Sequence, residues 1–401
     1  MRLLRIVRST KAESGGPIEG AILTSEILVR EGHDVEVLAL EAEEIADQRS
    51  FPFPVTRLGR GTSRYGYNHR LVPWLRHNAP RFDAVVLHGL WNYSSVGSWR
   101  ALRHLDIPYF VYTHGMMDPW FREAYPLKHL AKQLYWWLGE GRVLRDARAV
   151  FFTSEEERMR AQHVFSGYSY NERVVLYGAA DPVGDPERQK KVFLNAFPQL
   201  KGRRFLMFLG RIHPKKGCDL LLRAFAETLG SIDDDIDLVM AGPDQLGWVD
   251  KLQTMASELG VNRRVHWTGM LTGDLKWGGL RSAEAEILPS HQENFGIVVA
   301  EALACSTPVL ISNKVNIWRE VEKAGAGLVA PDTIEGTQTL LRSFWGKSEE
   351  DRMRMRTAAR TAFLEAFNIE AAGLDLIRQL GFSNDSPVTP RRSGSTESAR
   401  A

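Results

Sequence analysis

Residues 205–217 read Phe205-Leu-Met-Phe-Leu-Gly-Arg-Ile-His-Pro-Lys-Lys-Gly217, and the fold can be worked out from this segment. The apolar run from Phe205 to Leu209 predicts a buried strand, and an apolar helical pattern begins after Gly217. A loop that contains two glycines and several cations joins them. A strand, a loop and a helix in this order form the repeating unit of a parallel sheet flanked by helices. The segment therefore predicts an α/β fold.

The same alternation continues on both sides of the segment. In the second half, further strands are predicted at Leu238 to Ala241, Val265 to Thr268, Glu286 to Leu288 and Pro308 to Ile311. In the first half, strands are predicted at Leu3 to Val7, Val35 to Leu40, Ala84 to Leu87, Tyr109 to Tyr112, Ala149 to Thr153 and Val174 to Tyr177, with a first helix from about Ile18 to Arg30. Gly32 is placed to cap that helix, and Ser154 with Glu157 predicts a capping box for a later one.

The alternation is interrupted between Gly178 and Gly202, where Asp181-Pro-Val-Gly-Asp-Pro186 marks a boundary. We therefore expect two Rossmann-like domains that face a cleft, over residues 1–185 and 186–382, with the last helix able to pack back on the first domain. Ligands bind at the carboxyl ends of the strands in such sheets. Residues 383–401 have almost nothing apolar to bury, so this tail is expected to be disordered.

Composition excludes several classes of function. Among 401 residues, 51 Lys and Arg face 49 Asp and Glu, a formal charge of +2. No general field therefore favours nucleic acid, and an anion site must be local. The 2 cysteines are too few for a disulfide framework or a cysteine-based metal site. No apolar stretch approaches the ~18 residues that span a bilayer, and the N-terminus lacks the core of a signal peptide. A folded cytoplasmic protein is expected.

The loop after Leu209 has the chemistry of an anion site. A strand end delivers Arg211 and Lys216 to one mouth of the sheet, where a guanidinium and an ammonium can hold a diphosphate. Gly210 and Gly217 allow the backbone to approach closely. The alternative is that both cations simply face solvent.

A second segment, residues 293–302, also has the features of an anion site. In Glu293-Asn-Phe-Gly296-Ile-Val-Val-Ala-Glu301-Ala302, a helix is expected to begin near Gly296, so its free backbone amides form an anion site at the positive end of the helix dipole. Glu301 lies about one turn into that helix, where a carboxylate can accept both hydroxyls of a ribose. Glu293 precedes the helix and can reach hydroxyls attached beyond the phosphates. Alternatively, both carboxylates are ordinary surface charges.

These two segments together resemble the retaining GT-B glycosyltransferases of the glycosyltransferase 4 family. The shared elements are Gly210-Arg211 with Lys216-Gly217, and Glu293-Asn-Phe-Gly296 with Glu301 eight positions after the first glutamate. Gly242-Pro243, Gly269 and Thr307-Pro308 follow in the family's order. Ser306 departs from the pattern, because the family commonly has glycine there. The resemblance covers nearly the whole chain except the tail, strongly in the second half and loosely in the first.

The resemblance implies the role of each site residue. Arg211 and Lys216 would hold the donor diphosphate, Glu301 the ribose, and Glu293 hydroxyls of the transferred sugar. His114, in Tyr112-Thr-His-Gly115, matches the family histidine beside the reacting sugar. The implied donor-binding positions are Gly15 and Gly16 of the first-domain glycine-rich loop, Gly210, and Asn294, Phe295, Gly296 and Ile297 around the helix start.

The implied activity is transfer of a hexose, with retention, from a nucleoside diphosphate sugar to a hydroxyl of a lipid-linked or polysaccharide glycan. The first domain would bind the acceptor and the second the nucleotide sugar. Two alternatives stay open, a nucleotide-sugar hydrolase or epimerase on the same fold and a non-catalytic two-lobed sugar-binding protein. No cofactor and no metal are expected, because the run Asp233-Asp-Asp-Ile-Asp237 precedes a strand at the edge opposite the cleft.

Residues 125–148 are a candidate for peripheral membrane contact, at the inner face of the cytoplasmic membrane. Basic residues are interleaved with the aromatic residues Tyr135, Trp136 and Trp137 in a helix-compatible pattern. The basic residues are Lys128, His129, Lys132, Arg142, Arg145 and Arg148. Basic and aromatic residues together suit an anionic lipid interface. The alternative is an amphipathic helix packed on its own sheet.

Overall fold

The computed structural model describes residues 1–11, 16–42, 51–63, 65–229 and 236–382. The proposed tail, Gly15 and the first three aspartates of the run at 233–237 lie outside these residues. The described part divides into two α/β domains, each built on one parallel sheet.

The first domain contains seven strands, the helices between them and a π-helical turn. In chain order the elements are β1 (Arg2–Val7), α1 (Gly16–Arg30), β2 (Asp34–Ala39), β3 (Val55–Arg57), α2 (Leu71–Asn78), β4 (Ala84–His88), α3 (Tyr93–Leu102), β5 (Tyr109–Tyr112), α4 (Trp120–Ala124), α5 (Pro126–Tyr135), the π turn (Trp136–Glu140), α6 (Gly141–Asp146), β6 (Ala149–Phe152), α7 (Glu155–Ala161) and β7 (Glu172–Val174).

The second domain repeats this organisation with six strands. Its elements are α8 (Pro186–Ala196), β8 (Arg204–Leu209), α9 (Cys218–Leu229), β9 (Ile236–Ala241), α10 (Val249–Glu258), β10 (Val265–Gly269), α11 (Gly273–Ser282), β11 (Ala285–Leu288), α12 (Ile297–Ala304), β12 (Val309–Ser312), α13 (Trp318–Ala324), β13 (Gly327–Ala330), α14 (Ile334–Trp345), α15 (Glu349–Ala362) and α16 (Ile369–Gln379).

The order of the strands in each sheet indicates where the cleft lies. The first sheet runs β3-β2-β1-β4-β5-β6-β7 and the second β10-β9-β8-β11-β12-β13, and the strand pairs in both are parallel. Each order reverses direction beside the strand that opens its domain, at β1/β4 and at β8/β11. Ligands bind outside the carboxyl ends of strands at such a switch point. The two loops singled out in the second half follow β8 and β11, so both lie at the switch point.

The strands form because they are buried on both faces. In β1, Leu4 and Ile6 belong to one apolar cluster and Leu3 and Val7 to another, so the chain alternates between two cores. Near-continuous apolar runs are typical of parallel strands covered by helices on both sides. Arg5 interrupts this pattern with a cation that is only 1% exposed.

The last helix packs on the first domain. Leu376 and Ile377 of α16 belong to the same apolar cluster as Leu28 and Val35 of the first domain. A Cβ on Gly373 would lie 2.6 Å from Ile27 Cγ2, so α16 approaches α1 closely. Helix α16 therefore connects the second domain to the first.

One predicted strand is misplaced. Val174 to Tyr177 was expected to be a strand, but β7 is Glu172–Val174. The Leu176 amide donates to Asp375 Oδ2 of α16 at 2.9 Å, so the chain has left the sheet by this point. Tyr177 owes its burial to the cleft and not to strand pairing. The short strands β3 and β13 were also missed by the sequence analysis.

Candidate active site

The loop after β8 is shaped by close approaches between backbone segments. Pro214–Lys216 forms a 3-10 turn that ends at Gly217, whose φ is 67°. A Cβ on Gly217 would lie 2.2 Å from the Pro289 carbonyl oxygen, so only glycine fits there. The turn brings Lys216 against the loop that follows β11. The sequence-predicted cation is therefore directed into the switch point.

Lys216 makes an ion pair with Glu293, the first carboxylate of the second segment. Their side chains are 13% and 20% exposed, so the pair is largely shielded from water. Burial, with the positive charge of Arg211 nearby, lowers the pKa of Lys216 to about 8. Arg211 lies at the outer side of the loop, where its Nη1 donates to Gln245 Oε1 at 3.0 Å. Two of the predicted site residues are thus in direct contact with each other.

The start of α12 has the backbone geometry that the predicted anion site requires. Gly296 precedes the helix with a left-handed φ of 75°, and the helix runs over Ile297–Ala304. The first amides of an α-helix have no intrahelical acceptor and carry the positive end of its dipole. Gly16, the first residue of α1, lies opposite, since a Cβ on it would be 3.5 Å from Ile297 Cγ2. Two helix N-termini, one from each domain, therefore meet in the cleft.

Glu301 has a partner that the sequence analysis missed. Its Oε1 accepts from Lys276 Nζ at 2.8 Å, and both side chains are mostly buried. Lys276 belongs to α11, where its ammonium also lies 3.9 Å from the Trp277 ring centroid. The ion pair fixes the Glu301 carboxylate about one turn into α12. The signal for Lys276 was weak, because a single lysine one turn into a helix is common on protein surfaces.

His114 comes from the first domain, two residues after β5. Its φ is 48°, in the left-handed region that non-glycine residues rarely adopt. Its Nε2 lies 3.0 Å from His88 Nδ1, so one ring donates and the other accepts. Burial, followed by the positive charge of Arg5, lowers the pKa of His114 to about 3. The imidazole is therefore neutral at physiological pH.

Glu157 holds the His114 loop in this strained form. Its Oε1 accepts from Gly115 N at 2.6 Å and from Thr113 Oγ1 at 2.7 Å. Its Oε2 accepts from Thr153 N at 2.7 Å and from Thr153 Oγ1 at 2.8 Å. Ser154 Oγ accepts from Glu157 N at 3.1 Å as the capping box requires, but the carboxylate turns to the loop instead of closing the box. The capping interpretation was therefore half right.

Asn294 and Phe295 join the domains across the cleft. Asn294 Nδ2 donates to Thr153 Oγ1 at 3.2 Å. The Phe295 ring packs edge-on against Tyr177, with centroids 4.9 Å apart. The Tyr177 hydroxyl in turn donates to the Gly16 carbonyl oxygen at 2.8 Å. Contacts between the domains thus run beside the helix N-termini.

A metal site is absent from the part of the chain that the structure describes, where no group of three or more His, Cys, Asp and Glu side chains could hold an ion. Asp237, the last residue of the aspartate run, is used otherwise. Its Oδ2 accepts from Arg203 Nε at 2.6 Å and lies 2.9 Å from His266 Nε2. Asp237 and His266 lie near the starts of β9 and β10, and Arg203 immediately precedes β8, so these contacts are at the opposite end of the strands from the loop after β8.

Two family models match the chain. "Glycosyl transferase 4-like domain" matches residues 15–213, and "Glycosyl transferases group 1" matches residues 190–362. The chain belongs to the glycosyltransferase 4 family. Its two facing Rossmann-like domains are the GT-B fold, as the resemblance implied.

The chain is also similar in sequence to curated glycosyltransferases and similar in fold to solved structures. The chain is 31% identical over 278 residues to a D-inositol 3-phosphate glycosyltransferase of Rhodococcus opacus, a match that covers 66% of this chain and 58% of the relative. It is 31% identical over 200 residues to the protein of that name from Rhodococcus jostii, covering 47% and 44%. The matches therefore span about half the length of these relatives. Anabaena HepE, solved with UDP-glucose, superposes with a TM-score of 0.73 at 17% identity over 95% of this chain and 99% of that one, which shows the fold.

Ser306 occupies the position where the family commonly has glycine. Its φ is 58°, so the turn keeps the left-handed backbone that glycine normally provides. A non-glycine residue in this region costs roughly 1 kcal/mol. The backbone of the turn is therefore retained at a small cost in stability, and the departure does not reach Lys216 or Glu293.

Proposed function

We propose that this glycosyltransferase moves a hexose from a nucleoside diphosphate sugar to a hydroxyl of a lipid-linked or polysaccharide glycan, with retention at the anomeric carbon. The observation that carries the proposal is that the loop with Lys216, Glu293 and the α12 N-terminus lies against the His114 loop of the other domain, since a Cβ on Gly115 would lie 2.7 Å from the Asn294 side chain. The first group suits a diphosphate and its sugar. A neutral imidazole opposite suits a sugar hydroxyl.

The leaving diphosphate is the species that most needs stabilisation, because its negative charge develops as the bond between the anomeric carbon and the phosphate oxygen breaks. Preorganised donors directed at such a charge are usually the largest catalytic contribution. Lys216, Arg211 and the first amides of α12 would provide them. No metal enters this scheme, since the cations belong to the chain.

The Lys216–Glu293 ion pair suggests how the donor is admitted. A diphosphate would take Lys216 away from Glu293, and the released carboxylate would accept hydroxyls of the transferred sugar. Each charge then keeps a partner, so the largely buried site does not hold an isolated ion. Glu301, positioned by Lys276, would accept the ribose hydroxyls.

Retention by same-face attack is supported by the state of the described carboxylates. Glu301 is paired with Lys276, and Glu157 accepts four hydrogen bonds, whereas Glu293, once released from Lys216, would be engaged by hydroxyls of the sugar. Among the described cleft residues, Glu301 and Glu157 are therefore poor covalent nucleophiles, and Glu293 is assigned to binding the sugar hydroxyls. The leaving phosphate would instead accept the proton of the acceptor hydroxyl on the same face.

The solved relative with UDP-glucose makes UDP-sugars the first donors to test, followed by GDP- and ADP-sugars. The glycan acceptor is proposed to be carried on a lipid, and the protein to contact the cytoplasmic face of the membrane. None of the helices in the described ranges is long and apolar enough to cross a bilayer.

The test is incubation with each radiolabelled nucleotide sugar, with and without a lipid extract that contains lipid-linked glycans. We expect label to move into the lipid fraction and nucleoside diphosphate to be released only when the extract is present. Release without extract would favour the hydrolase, and binding without release would favour the sugar-binding protein. Lys216→Met is the loss-of-site variant, and Lys201→Met, on an exposed turn, is its matched control.

A further inference from the structure

Large apolar side chains on the helical segment 126–138 face solvent. The exposed fractions are 80% for Leu127, 65% for Leu130, 56% for Leu134, 46% for Trp137 and 63% for Leu138. Their spacing of three or four residues places them along one side of α5 and the π turn. We call this set the leucine face. Monomeric proteins rarely expose contiguous apolar surface of this kind without a binding role.

The opposite side of the same helix is already packed. Trp136 is fully buried, and its ring lies 4.9 Å from that of Phe165. The Tyr135 ring packs edge-on against Tyr65 at 6.0 Å. The aromatic residues that the sequence analysis assigned to a lipid interface therefore mostly serve the core, with Trp137 the exception. The leucines remain on the outside, and folding of this domain gives them no cover.

The charges beside the leucine face are all of one sign. Residues 125–139 contain Lys128 and Lys132 but no Asp or Glu, while burial, followed by the charges of Arg122 and Lys132, lowers the pKa of His129, so its ring adds little charge. Lys128 Nζ lies 4.6 Å from the Tyr125 ring centroid, near the start of the face. A helix with leucines on one side and cations beside them suits the boundary between anionic headgroups and acyl chains.

We propose that the leucine face docks on the surface of an anionic lipid bilayer, with the helix parallel to the membrane plane. Leu127 to Leu138 covers about 17 Å of helix, which suits shallow insertion and is too short to span. A second copy of the chain is a poorer occupant. A two-fold interface on this face would place the lysines of one copy beside those of the other, with no carboxylate in residues 125–139 to pair with them.

The docked orientation would bring the cleft close to the membrane. Lys132, on the same helix, places its Nζ 4.4 Å from the Trp91 ring centroid. Trp91 follows the carboxyl end of β4, the strand that carries His88. The leucine face and the acceptor side of the cleft are thus connected through one lysine and one tryptophan. This last step rests on the proposed lipid-linked acceptor, whereas binding to a bilayer does not.

The experiment is sedimentation of the full chain, without nucleotide sugar, with vesicles of phosphatidylglycerol and phosphatidylethanolamine or of phosphatidylcholine alone. We expect binding to the anionic vesicles that weakens as salt is raised. Leu130→Ser with Leu134→Ser should reduce partitioning about a hundredfold, since each buried leucine is worth roughly tenfold. The matched control is Leu374→Ser, which removes a 47% exposed leucine from α16 and should bind like wild type.

Two measurements keep the outcome interpretable. Light scattering after gel filtration measures the oligomeric state of the wild type and of the double serine variant. A dimeric wild type with a monomeric variant would overturn the proposal, because the leucine face would then be a protein interface. Wild type that ignores anionic vesicles, or a double variant that binds them equally well, would also overturn it. Donor binding measured by thermal shift should be unchanged in the double variant, so failure of the donor site and failure of the docking surface are distinguishable.

Discussion

Replacement of Lys216 by Met tests the donor site most sharply. The change keeps most of the side-chain volume and removes only the ammonium. Lys216 belongs to the loop after β8 and makes an ion pair with Glu293, which precedes α12. The variant therefore loses the cation that would meet the leaving diphosphate, and it leaves Glu293 without its ion-pair partner.

The size of the loss follows from the geometry. A charge about 4 Å from a phosphate oxygen contributes roughly 4 kcal/mol at an effective dielectric constant near 20. Arg211 and the α12 amides remain, so part of that charge is still stabilised. Removing one preorganised donor from comparable sites costs roughly 10²–10³-fold in rate. We expect kcat/KM for the donor to fall by roughly 10²–10³, with a loss of about 1–2 kcal/mol in stability from the unpaired carboxylate, less than for a fully buried pair.

The assay is nucleoside diphosphate release at donor concentrations below KM, with the lipid extract as acceptor. Lys216→Arg restores a cation and should recover part of the rate, whereas Lys201→Met should retain all of it. Circular dichroism and thermal melting check that the variants are folded. A folded Lys216→Met protein with kcat/KM within threefold of wild type would refute the assignment of Lys216 to the diphosphate.

Three further predictions concern pH and packing. The pKa of Lys216 is lowered to about 8, so its charge is present below that pH and lost above it, and kcat/KM should fall as pH rises through about 8. His114 has a pKa of about 3 and should therefore cause no fall in kcat/KM at acidic pH above 5. Burial raises the pKa of Glu286 well above its usual range, and neither of its carboxyl oxygens has a hydrogen-bond partner among the described residues. The carboxyl is therefore protonated in the folded protein and releases its proton on unfolding, so the free energy of unfolding should fall as pH rises above ~4.5. Glu286→Met should therefore melt at a higher temperature than wild type, with a larger gap at pH 8 than at pH 5 by differential scanning fluorimetry; an equal gap would contradict this. Gly217→Ala should weaken donor binding and lower the free energy of unfolding in urea by more than roughly 2 kcal/mol, because the new Cβ would lie 2.2 Å from a carbonyl oxygen. The control Gly202→Ala has no atom within 4 Å of the new Cβ and should lose only about 1 kcal/mol, from backbone strain.

The sequence was sufficient for the two-domain fold because parallel strands covered on both faces read as apolar runs. It was also sufficient to place Lys216 and the start of α12 at one edge of one sheet, since both follow strands that end there. The strand after Phe152 was misplaced for a related reason. Apolar residues such as Val175 and Tyr177 are buried by α16 and by the cleft, and burial alone does not distinguish these partners from a sheet.

The contacts that organise the site could not be read from the sequence. Lys276 meets Glu301 across 25 positions, and His88 meets His114 across 26, so no local spacing records either pair. Glu157 carried a recognisable capping pattern, yet its carboxylate serves the His114 loop. The leucine face was hidden in the same way, because an amphipathic pattern does not say which side of the helix the core will take.

Calorimetric titration of the protein with UDP, GDP and ADP tests most directly whether the loop after β8 and the start of α12 form a nucleoside diphosphate site. We expect one of the three to bind the wild-type protein, with affinity reduced about a hundredfold in Lys216→Met and unchanged in Lys201→Met. Failure of all three to bind, or equal affinity in the wild type and Lys216→Met, would contradict the assignment of this cleft to a nucleotide sugar.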